Sequence, residues 1–321
     1  MKKRLGFALA VLAGTAAWAQ TPNPAPSYPD WAYAVPTPQN ETTAPKDDGA
    51  VFTLPGSSGK FTRSQISGAG RKPPADWYPG DHPTMPKLIA AGDPARLITA
   101  CAACHYPNGK GRPQNTGIAG LNAAYLVRQM QDMKNGLRVS SEPRKKNAHQ
   151  MVAFAKAMTD AEMMETAAYY ASLPPTVPLK VVETDTVPKL KSQDGMWLPV
   201  DGNAREPIGN RIVEMPQDVH REQLRDPRAN FIAYVPAGAI AKGKAAARSC
   251  AMCHGQNLEG RDAVPGIAGR SPSYLARQLH DFQTGARRGP MAAMMKPPVA
   301  KMTATDIVNI TAYLASLPMK P

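Results

Sequence analysis

Two copies of one five-residue pattern organise this sequence: CAACH at residues 101–105 and CAMCH at residues 250–254. In the pattern C-x-x-C-H, the two thiols can bond covalently to the vinyl groups of a haem, and the histidine can bind its iron. On a helical turn these side chains project from one face, so one haem can take all three. The motifs use all 4 cysteines, which argues against a zinc site or a redox cysteine pair. We therefore predict two covalently bound haem c groups, attached through Cys101, Cys104, His105, Cys250, Cys253 and His254.

The first 19 residues have the pattern of a secretory signal peptide. A basic start, KKR at residues 2–4, precedes an apolar run, and AWA at residues 17–19 is a cleavage site of the A-x-A type. The apolar run is short for an uncleaved membrane anchor, and no later stretch is apolar enough to cross a bilayer. We predict a signal peptide at 1–19 and an exported, periplasmic protein with no transmembrane segment after cleavage.

The net charge of the chain is strongly positive. It is +13 for the whole sequence and +10 without the three basic residues of the signal peptide (13 − 3). A nucleic-acid partner does not suit an exported haem protein. We therefore predict that the charge attracts the acidic docking surfaces of periplasmic redox proteins.

The sequence around the first motif returns 149 residues later (250 − 101). The Gly-Ile-Ala-Gly turns at 117–120 and 266–269 fall in this register, as do the Tyr-Leu pairs at 125–126 and 274–275. After five extra residues in the first copy, the offset becomes 144 (303 − 159). The repeat predicts two copies of one haem domain, at residues 87–174 and 237–321.

Each copy ends in a segment with clear helix signals. Thr159 with Glu162, and Thr303 with Asp306, form predicted capping boxes, and a proline follows each apolar stripe. Further helices are predicted at 125–133 and 274–282. Neither copy contains a strand pattern that stands out, so we predict an all-α fold.

A second axial ligand on each iron decides between electron transfer and substrate binding. Met151 and Met295 each lie eight residues before the capping threonine of their copy (159 − 151 and 303 − 295), and we predict them as the sixth ligands. His149 is the alternative in the first copy, and a plain surface methionine is the alternative for Met295. Met158 and Met302 also match each other, but their position beside the helix cap is typical of hydrophobic packing.

These features resemble the tandem two-haem class I cytochromes c, most closely the cytochrome c4 type. The resemblance covers residues 90–174 and 237–318, and rests on the two motifs, the Gly-Ile-Ala-Gly turns, the Gly-x-Arg sequences and the methionine loops. It implies two class I cytochrome c domains in tandem, with Met151 and Met295 as distal ligands. It also implies electron transfer to a terminal oxidase or another periplasmic reductase.

One family position differs between the two copies. In the family, a proline before the Gly-Ile-Ala-Gly turn orients the proximal histidine through its carbonyl. Pro265 matches this position, whereas the first copy has Thr116. We therefore expect His105 to be held less firmly than His254, and the two haem potentials to differ.

Two long segments depart from the family pattern: an N-terminal arm at 20–86 and an interdomain linker at 175–236. Both are rich in proline, and such composition is typical of irregular or disordered chain. However, Trp31, Trp77 and Trp197 lie in these segments, and FIAYV at 231–235 is typical of an extended segment. We predict a long, Pro-rich, irregular linker and an arm that are nevertheless ordered and pack on the haem domains.

From these features we predict an electron carrier rather than an enzyme, with transfer through exposed haem edges. One alternative is a two-haem oxidoreductase similar to thiosulfate dehydrogenase or to a peroxidase. That enzyme would need an open or unusual sixth position, and a methionine in both loops argues against it. A second alternative is a haem subunit of a dehydrogenase complex, which differs in its partner and not in its chemistry.

Overall fold

The structure is a computed structural model that describes residues 28–176 and 179–319. The predicted signal peptide at 1–19 lies outside the described residues. Within the described part of the chain, no helix combines the length and the apolar character that a membrane span requires.

The arm, residues 28–86 as described, contains little regular structure. It has 3-10 turns at Asp30–Ala32, Ala69–Arg71 and Pro79–Asp81, strands β1 (Val51–Phe52) and β2 (Phe61–Thr62), and helix α1 (Arg63–Ser67). The two strands pair antiparallel. Helix α1 ends at Gly68, which adopts a left-handed φ of 66° that suits glycine.

The first domain packs three longer helices around the first motif. Its elements are α2 (Lys87–Ala90), a 3-10 turn at Pro94–Arg96, α3 (Ala102–His105), α4 (Ala123–Lys134), α5 (Lys146–Ala157) and α6 (Asp160–Ser172). The predicted capping box is present, since Thr159 Oγ1 accepts the amide N–H of Glu162 at 3.2 Å. Leu126 of α4 and Ala167 and Tyr170 of α6 share one buried core.

The linker contains seven short strands and one short helix among its described residues. Its elements are β3 (Leu179–Glu183), β4 (Thr186–Pro188), β5 (Leu190–Gln193), β6 (Met196–Pro199), β7 (Arg205–Pro207), β8 (Val213–Pro216), α7 (Val219–Gln223) and β9 (Phe231–Val235). Strand β9 is the centre of a three-stranded sheet, parallel to β3 and antiparallel to β8. The pairs β4–β7 and β5–β6 are antiparallel.

The second domain repeats the helical arrangement of the first. Its elements are α8 (Ala239–Ala246), a 3-10 turn at Ala247–Cys250, α9 (Ala251–His254), α10 (Pro272–Thr284), α11 (Ala292–Val299) and α12 (Ala304–Ser316). Its capping box matches the prediction, with Thr303 Oγ1 accepting the amide N–H of Asp306 at 3.1 Å. The two helical domains in tandem are therefore observed as predicted.

The structure corrects the prediction of an all-α fold with an irregular linker. The prolines of this segment suggested irregular chain, but Pro188, Pro199, Pro207 and Pro216 are each the last residue of a strand. At a strand end the missing N–H of proline costs little, so these prolines are compatible with strands. The predicted extended segment at Phe231–Val235 is confirmed as β9.

Tryptophan side chains of the arm and the linker form hydrogen bonds between these two segments. Trp31 and Trp77 are buried, and the Nε1–H of Trp77 donates to the carbonyl of Leu224 at 2.8 Å. The Nε1–H of Trp197, in the linker, donates to the carbonyl of Trp31 at 2.7 Å. The arm and the linker therefore pack against each other, and Trp31 also lies in a buried cluster with Ile307 of the second domain.

Candidate functional site

The first attachment turn is α3 with the residue before it. The carbonyl of Cys101 accepts the amide N–H of His105 at 2.9 Å, so their side chains lie one helical turn apart. The Nδ1 of His105 donates to the carbonyl of Thr116 at 3.0 Å, because a carbonyl oxygen can only accept. Its Nε2 is then the nitrogen that an iron atom would take. Burial lowers the pKa of His105, which favours the neutral imidazole that binds metals.

The second attachment turn repeats this geometry. The Nδ1 of His254 donates to the carbonyl of Pro265 at 2.8 Å. Thr116 and Pro265 thus present equivalent carbonyls to the two histidines, and the expected weaker hold on His105 is not seen. The physical reason is that the bond uses a backbone group that every residue carries.

A cavity of about 200 Å³ lies beside the first attachment turn. Its lining includes Cys101, Cys104 and His105, and also Met151 of α5. The other predicted candidate, His149, is exposed, and its Nε2 lies 2.8 Å from the carbonyl of Pro143 instead of in the lining. Of the two candidates for a sixth ligand, Met151 is the one that reaches the cavity.

A second cavity, of about 410 Å³, lies beside the second attachment turn. Its lining includes Met295 of α11, which is half-buried. Four more methionines share this lining: Met252, Met291, Met294 and Met302. The motif residues that line it are Cys250, Cys253 and His254.

Met158 also borders the first cavity, but it is buried in a core with Leu88 and Ile98. This position fits the packing role that the sequence predicts for it. In the second domain, Met302 packs in the same way against two core clusters. Each cavity therefore contains one methionine, Met151 or Met295, that is free of the core and at the predicted repeat position.

The two cavities share a wall at the interface between the domains. Tyr125, Gln129, Arg138, Tyr274 and Gln278 line both of them. Tyr125 and Tyr274 occupy equivalent positions of the repeat, as do Gln129 and Gln278, so this part of the wall has an approximate two-fold symmetry. The two cofactor positions implied by the motifs are therefore neighbours across a single layer of side chains.

Two guanidinium groups from equivalent positions of the repeat hold this wall together. Arg138 donates to Gln129 at 3.1 Å in its own domain and to Tyr274 at 3.2 Å across the interface. Arg287 donates to Gln278 at 3.0 Å in its own domain and to Gln129 at 2.6 Å across the interface. Their backbones also form an antiparallel bridge.

The wall fits a cofactor that carries carboxylates. Neither Arg138 nor Arg287 forms a salt bridge with a carboxylate of the described residues. A haem has two propionates, so a haem in each cavity would supply the anions that two adjacent guanidinium groups need. Together with the two thiols, the imidazole and the methionine around each cavity, the residues present fit one haem per domain.

The interface also takes up part of the basic charge of the two methionine loops. Arg138 and Arg287 lie between the domains, where each donates across the interface. Arg144 is exposed and pairs with Glu142 at 2.8 Å. Among the basic residues of these loops, Lys146, Arg288 and Lys296 remain at the surface.

The linker covers the first attachment turn, which the sequence did not reveal. We use the term linker cover for residues 222–229. Within it, Arg225 donates to the carbonyl of Ala103, and the carbonyl of Pro227 accepts from Asn108 at 3.3 Å. Lys110 donates to the carbonyl of Ala229, so the cover reaches the loop that follows the motif. The linker has no counterpart in the repeat, so no sequence register could have indicated these contacts.

A buried ionic cluster anchors the linker cover. Glu222 is fully buried and accepts from Arg112, a residue of the loop after the first motif. Lys110 is buried beside them, between the rings of Tyr106 and Phe231. Burial lowers the pKa of Lys110 to about 8. Charges that are paired in this way are costly to separate, so the cover is firmly attached to the first domain.

Comparison with known proteins points to one family. The family model for cytochrome c matches residues 91–174 and 240–318. Cytochrome c4 of Azotobacter vinelandii is 29% identical over 236 residues, which cover 71% of this chain and 90% of that protein. The thiosulfate dehydrogenase electron acceptor of Thiomonas intermedia is 24% identical over 239 residues, covering 74% and 86%.

This chain is also similar to part of a solved structure. Thiosulfate dehydrogenase from Marichromatium purpuratum superimposes with a TM-score of 0.48 at 27% identity. The match covers 73% of this chain and 39% of that one, so this chain spans well under half of that protein.

Proposed function

This chain belongs to the cytochrome c family, as a cytochrome c4-like protein with two tandem domains, and from that premise we propose that it is a periplasmic electron carrier with two His/Met-ligated haems. The observation that carries the proposal is the pair of neighbouring cavities. Each has a C-x-x-C-H turn in its lining and a methionine at the same repeat position.

The residues that would hold the cofactors follow from the lining of each cavity. Thioether bonds would form at Cys101 and Cys104 in the first domain, and at Cys250 and Cys253 in the second. The axial ligands would be His105 with Met151, and His254 with Met295. When bound in this way, the iron of each haem can gain and lose one electron without a change of ligands.

The protein's own residues supply orientation and a dry environment. The carbonyls of Thr116 and Pro265 fix the two imidazole rings, which keeps Nε2 aimed into each cavity. Apolar side chains line most of both cavities and exclude water from the cofactor faces. Haems held in the two cavities would share the side chains of this wall as neighbours, which supports transfer of an electron between them.

The enzyme alternative rests on the relatives whose names include thiosulfate dehydrogenase. Those names describe electron acceptors of that enzyme, which supports a carrier that receives electrons from a periplasmic dehydrogenase. The basic surface of this chain supports a partner with an acidic docking surface. The N-terminal sequence at 1–19 supports the periplasm as the place of action.

Carbon monoxide distinguishes the carrier from the enzyme. In a carrier, methionine fills the sixth position of both irons, and carbon monoxide added to the reduced protein should bind slowly to both haems. Rapid binding at one haem, seen as a shift of its Soret band, would show an open sixth position and favour the enzyme.

A further inference from the structure

We infer that this electron carrier meets an acidic redox protein through one docking surface, which lies on the second domain around the second attachment turn. The inference rests on the proposed function and adds which of the two haem domains faces the partner. We call this area the second-domain surface, and define it by Met252, Cys253, Met291 and Met294 at the mouth of the second cavity.

Equivalent positions of the repeat differ sharply in exposure. Ala103, inside the first motif, is 3% exposed, whereas Met252 at the same position of the second motif is 79% exposed. The next residue follows the same trend, since Cys104 is half-buried and Cys253 is exposed. An electron that enters from solution therefore meets a shorter path through the second attachment turn than through the first.

The linker cover explains this difference. Residues 222–229 lie on the first attachment turn and bond to Ala103, Asn108 and Lys110. Among the described residues, the equivalent positions Met252, Asn257 and Glu259 are exposed. The linker cover thus shields the first attachment turn from solvent, and the second attachment turn has no such cover among the described residues.

The second-domain surface has an apolar centre. Seven large apolar side chains are exposed among the described residues, and three of them, Met252, Met291 and Met294, line the mouth of the same cavity. Clustered exposed apolar side chains mark interaction sites. Methionine suits a transient partner, because its flexible side chain adapts to different surfaces.

The exposed charge of the second domain favours an acidic partner. Among the residues of this domain that the structure describes, exposed basic side chains outnumber exposed acidic ones by seven to two. The basic residues are Lys242, Lys244, Arg248, Arg261, Arg288, Lys296 and Lys301, and the acidic ones are Glu259 and Asp262. Opposite charge would speed the encounter with an acidic protein, and like charge would oppose docking of a second copy of this chain.

The test compares two charge reversals of equal size. One variant, Arg248→Glu with Lys296→Glu, changes two exposed residues that are next in sequence to Ser249 and Met295 of the second cavity lining. The matched control, Lys146→Glu with Lys156→Glu, changes exposed residues of α5 in the first domain. Reduced plant-type [2Fe–2S] ferredoxin, an acidic protein, serves as electron donor in stopped-flow experiments at low ionic strength. Each transfer oxidises one cluster by one electron and reduces one ferric haem to ferrous.

We expect the second-domain variant to slow the second-order rate constant about tenfold, and the α5 variant to slow it less than about twofold. A third variant, Met252→Ser, should slow the transfer about threefold even in high salt, because it removes apolar contact and not charge. Unchanged absorption spectra and haem content would show that all variants are assembled.

Equal slowing by both charge reversals would overturn the inference, because only the total charge would then matter. Greater slowing by the α5 variant would place docking on the first domain and also overturn it. The same holds if the protein binds phosphatidylglycerol vesicles through Arg248 and Lys296 while ferredoxin reacts with all variants alike, since a membrane would then be the partner. Wild-type protein that accepts no electrons even from dithionite would overturn the proposed function itself.

Discussion

Each proximal histidine is oriented by a backbone carbonyl, that of Thr116 in one domain and that of Pro265 in the other. A hydrogen bond at Nδ1 fixes the ring and strengthens Nε2 as an iron ligand. Because both bonds are alike, a difference between the two haem potentials must arise elsewhere. The linker cover, with its buried charges beside the first attachment turn, is the largest difference between the two environments.

The two axial methionines can be tested separately. We expect Met151→Ala and Met295→Ala each to remove one methionine-ligand signal from the NMR spectrum and to let carbon monoxide bind quickly to that haem. The reason is that alanine cannot coordinate iron.

Met158→Ala is the matched control for this experiment. It should leave both signals in place and instead lower the free energy of unfolding by roughly 2–5 kcal/mol, because Met158 is a core residue. A Met151→Ala protein that keeps two methionine signals would show that another residue is the ligand.

The charge of the shared wall should set the haem potentials. We expect Arg287→Gln to lower the reduction potential by tens of millivolts, because a positive charge stabilises the reduced iron. Two unit charges about 10 Å apart interact by roughly 1.7 kcal/mol at an effective dielectric constant of about 20. Redox titration followed by visible absorption measures the change.

Arg144→Gln is the matched control for the wall, since Arg144 is an exposed guanidinium outside the interface. Its potentials should stay within a few millivolts of the wild type. Equal shifts in the two variants would mean that the wall has no special electrostatic role.

At the level of helices and strands, local patterns predicted the parts of the fold that depend on local contacts. The capping boxes at Thr159 and Thr303, and the helices after each motif, are where the sequence placed them. The strands of the linker were missed, with the exception of β9. The β5–β6 hairpin does carry a local signal, the Asp194-Gly195 turn between its strands, which our sequence-based predictions did not use. The three-stranded sheet carries none, because its pairing joins segments far apart in the chain. Strand β3 pairs with β9 across about 50 residues, and no local pattern reports such a contact.

In the candidate site, too, the features set by local spacing could be predicted and those set by distant contacts could not. The attachment residues and the two methionines could be predicted because they occupy fixed spacings within each repeat. The shared wall depends on how two domains pack, and the linker cover on a segment more than 100 residues from Ala103. Neither the shared wall nor the linker cover can be predicted from residue spacing or composition.

The stability that Glu162 of helix α6 contributes should depend on pH. Arg96 donates two hydrogen bonds to Glu162, at 2.6 and 3.0 Å, and these lower the pKa of Glu162 to about 2. Because the pKa of Glu162 is lower in the folded state than in the unfolded state, its ionisation stabilises the fold. This contribution is complete above about pH 4.5, the ordinary pKa of the carboxyl, and is lost as the pH falls to about 2.

We therefore expect the stability advantage of wild type over Glu162→Gln to shrink between pH 5 and pH 2, as measured by urea unfolding. Glu165→Gln is the control, because Glu165 lies on the exposed side of the same helix. A constant difference for Glu162→Gln would contradict the assigned pKa.

Over the whole molecule, one core joins segments that are distant in sequence. Trp31 of the arm, Ala233 of the linker and Ile307 of the second domain belong to the same buried cluster. Arg277 of the second domain donates to the carbonyl of Ala32 in the arm and to that of Pro113 in the first domain, the latter at 2.7 Å. The arm and linker are therefore structural parts of both domains.

This packing predicts resistance to proteases. In native, haem-loaded protein, we expect trypsin to leave residues 28–86 and the linker strands intact for as long as the helical domains. Mass spectrometry of the fragments identifies the cleavage sites. Early cuts after Lys180 or Lys191, with the two domains surviving as separate fragments, would show that the linker is not anchored.

The linker cover also constrains the order of events during the protein's biogenesis. Its contacts with the first motif span more than 100 residues, and contacts of such high sequence separation form late in folding. Before residues 222–229 fold onto the first attachment turn, the thiols of Cys101 and Cys104 are free of these contacts. We therefore expect haem attachment at the first motif to precede closure of the linker cover.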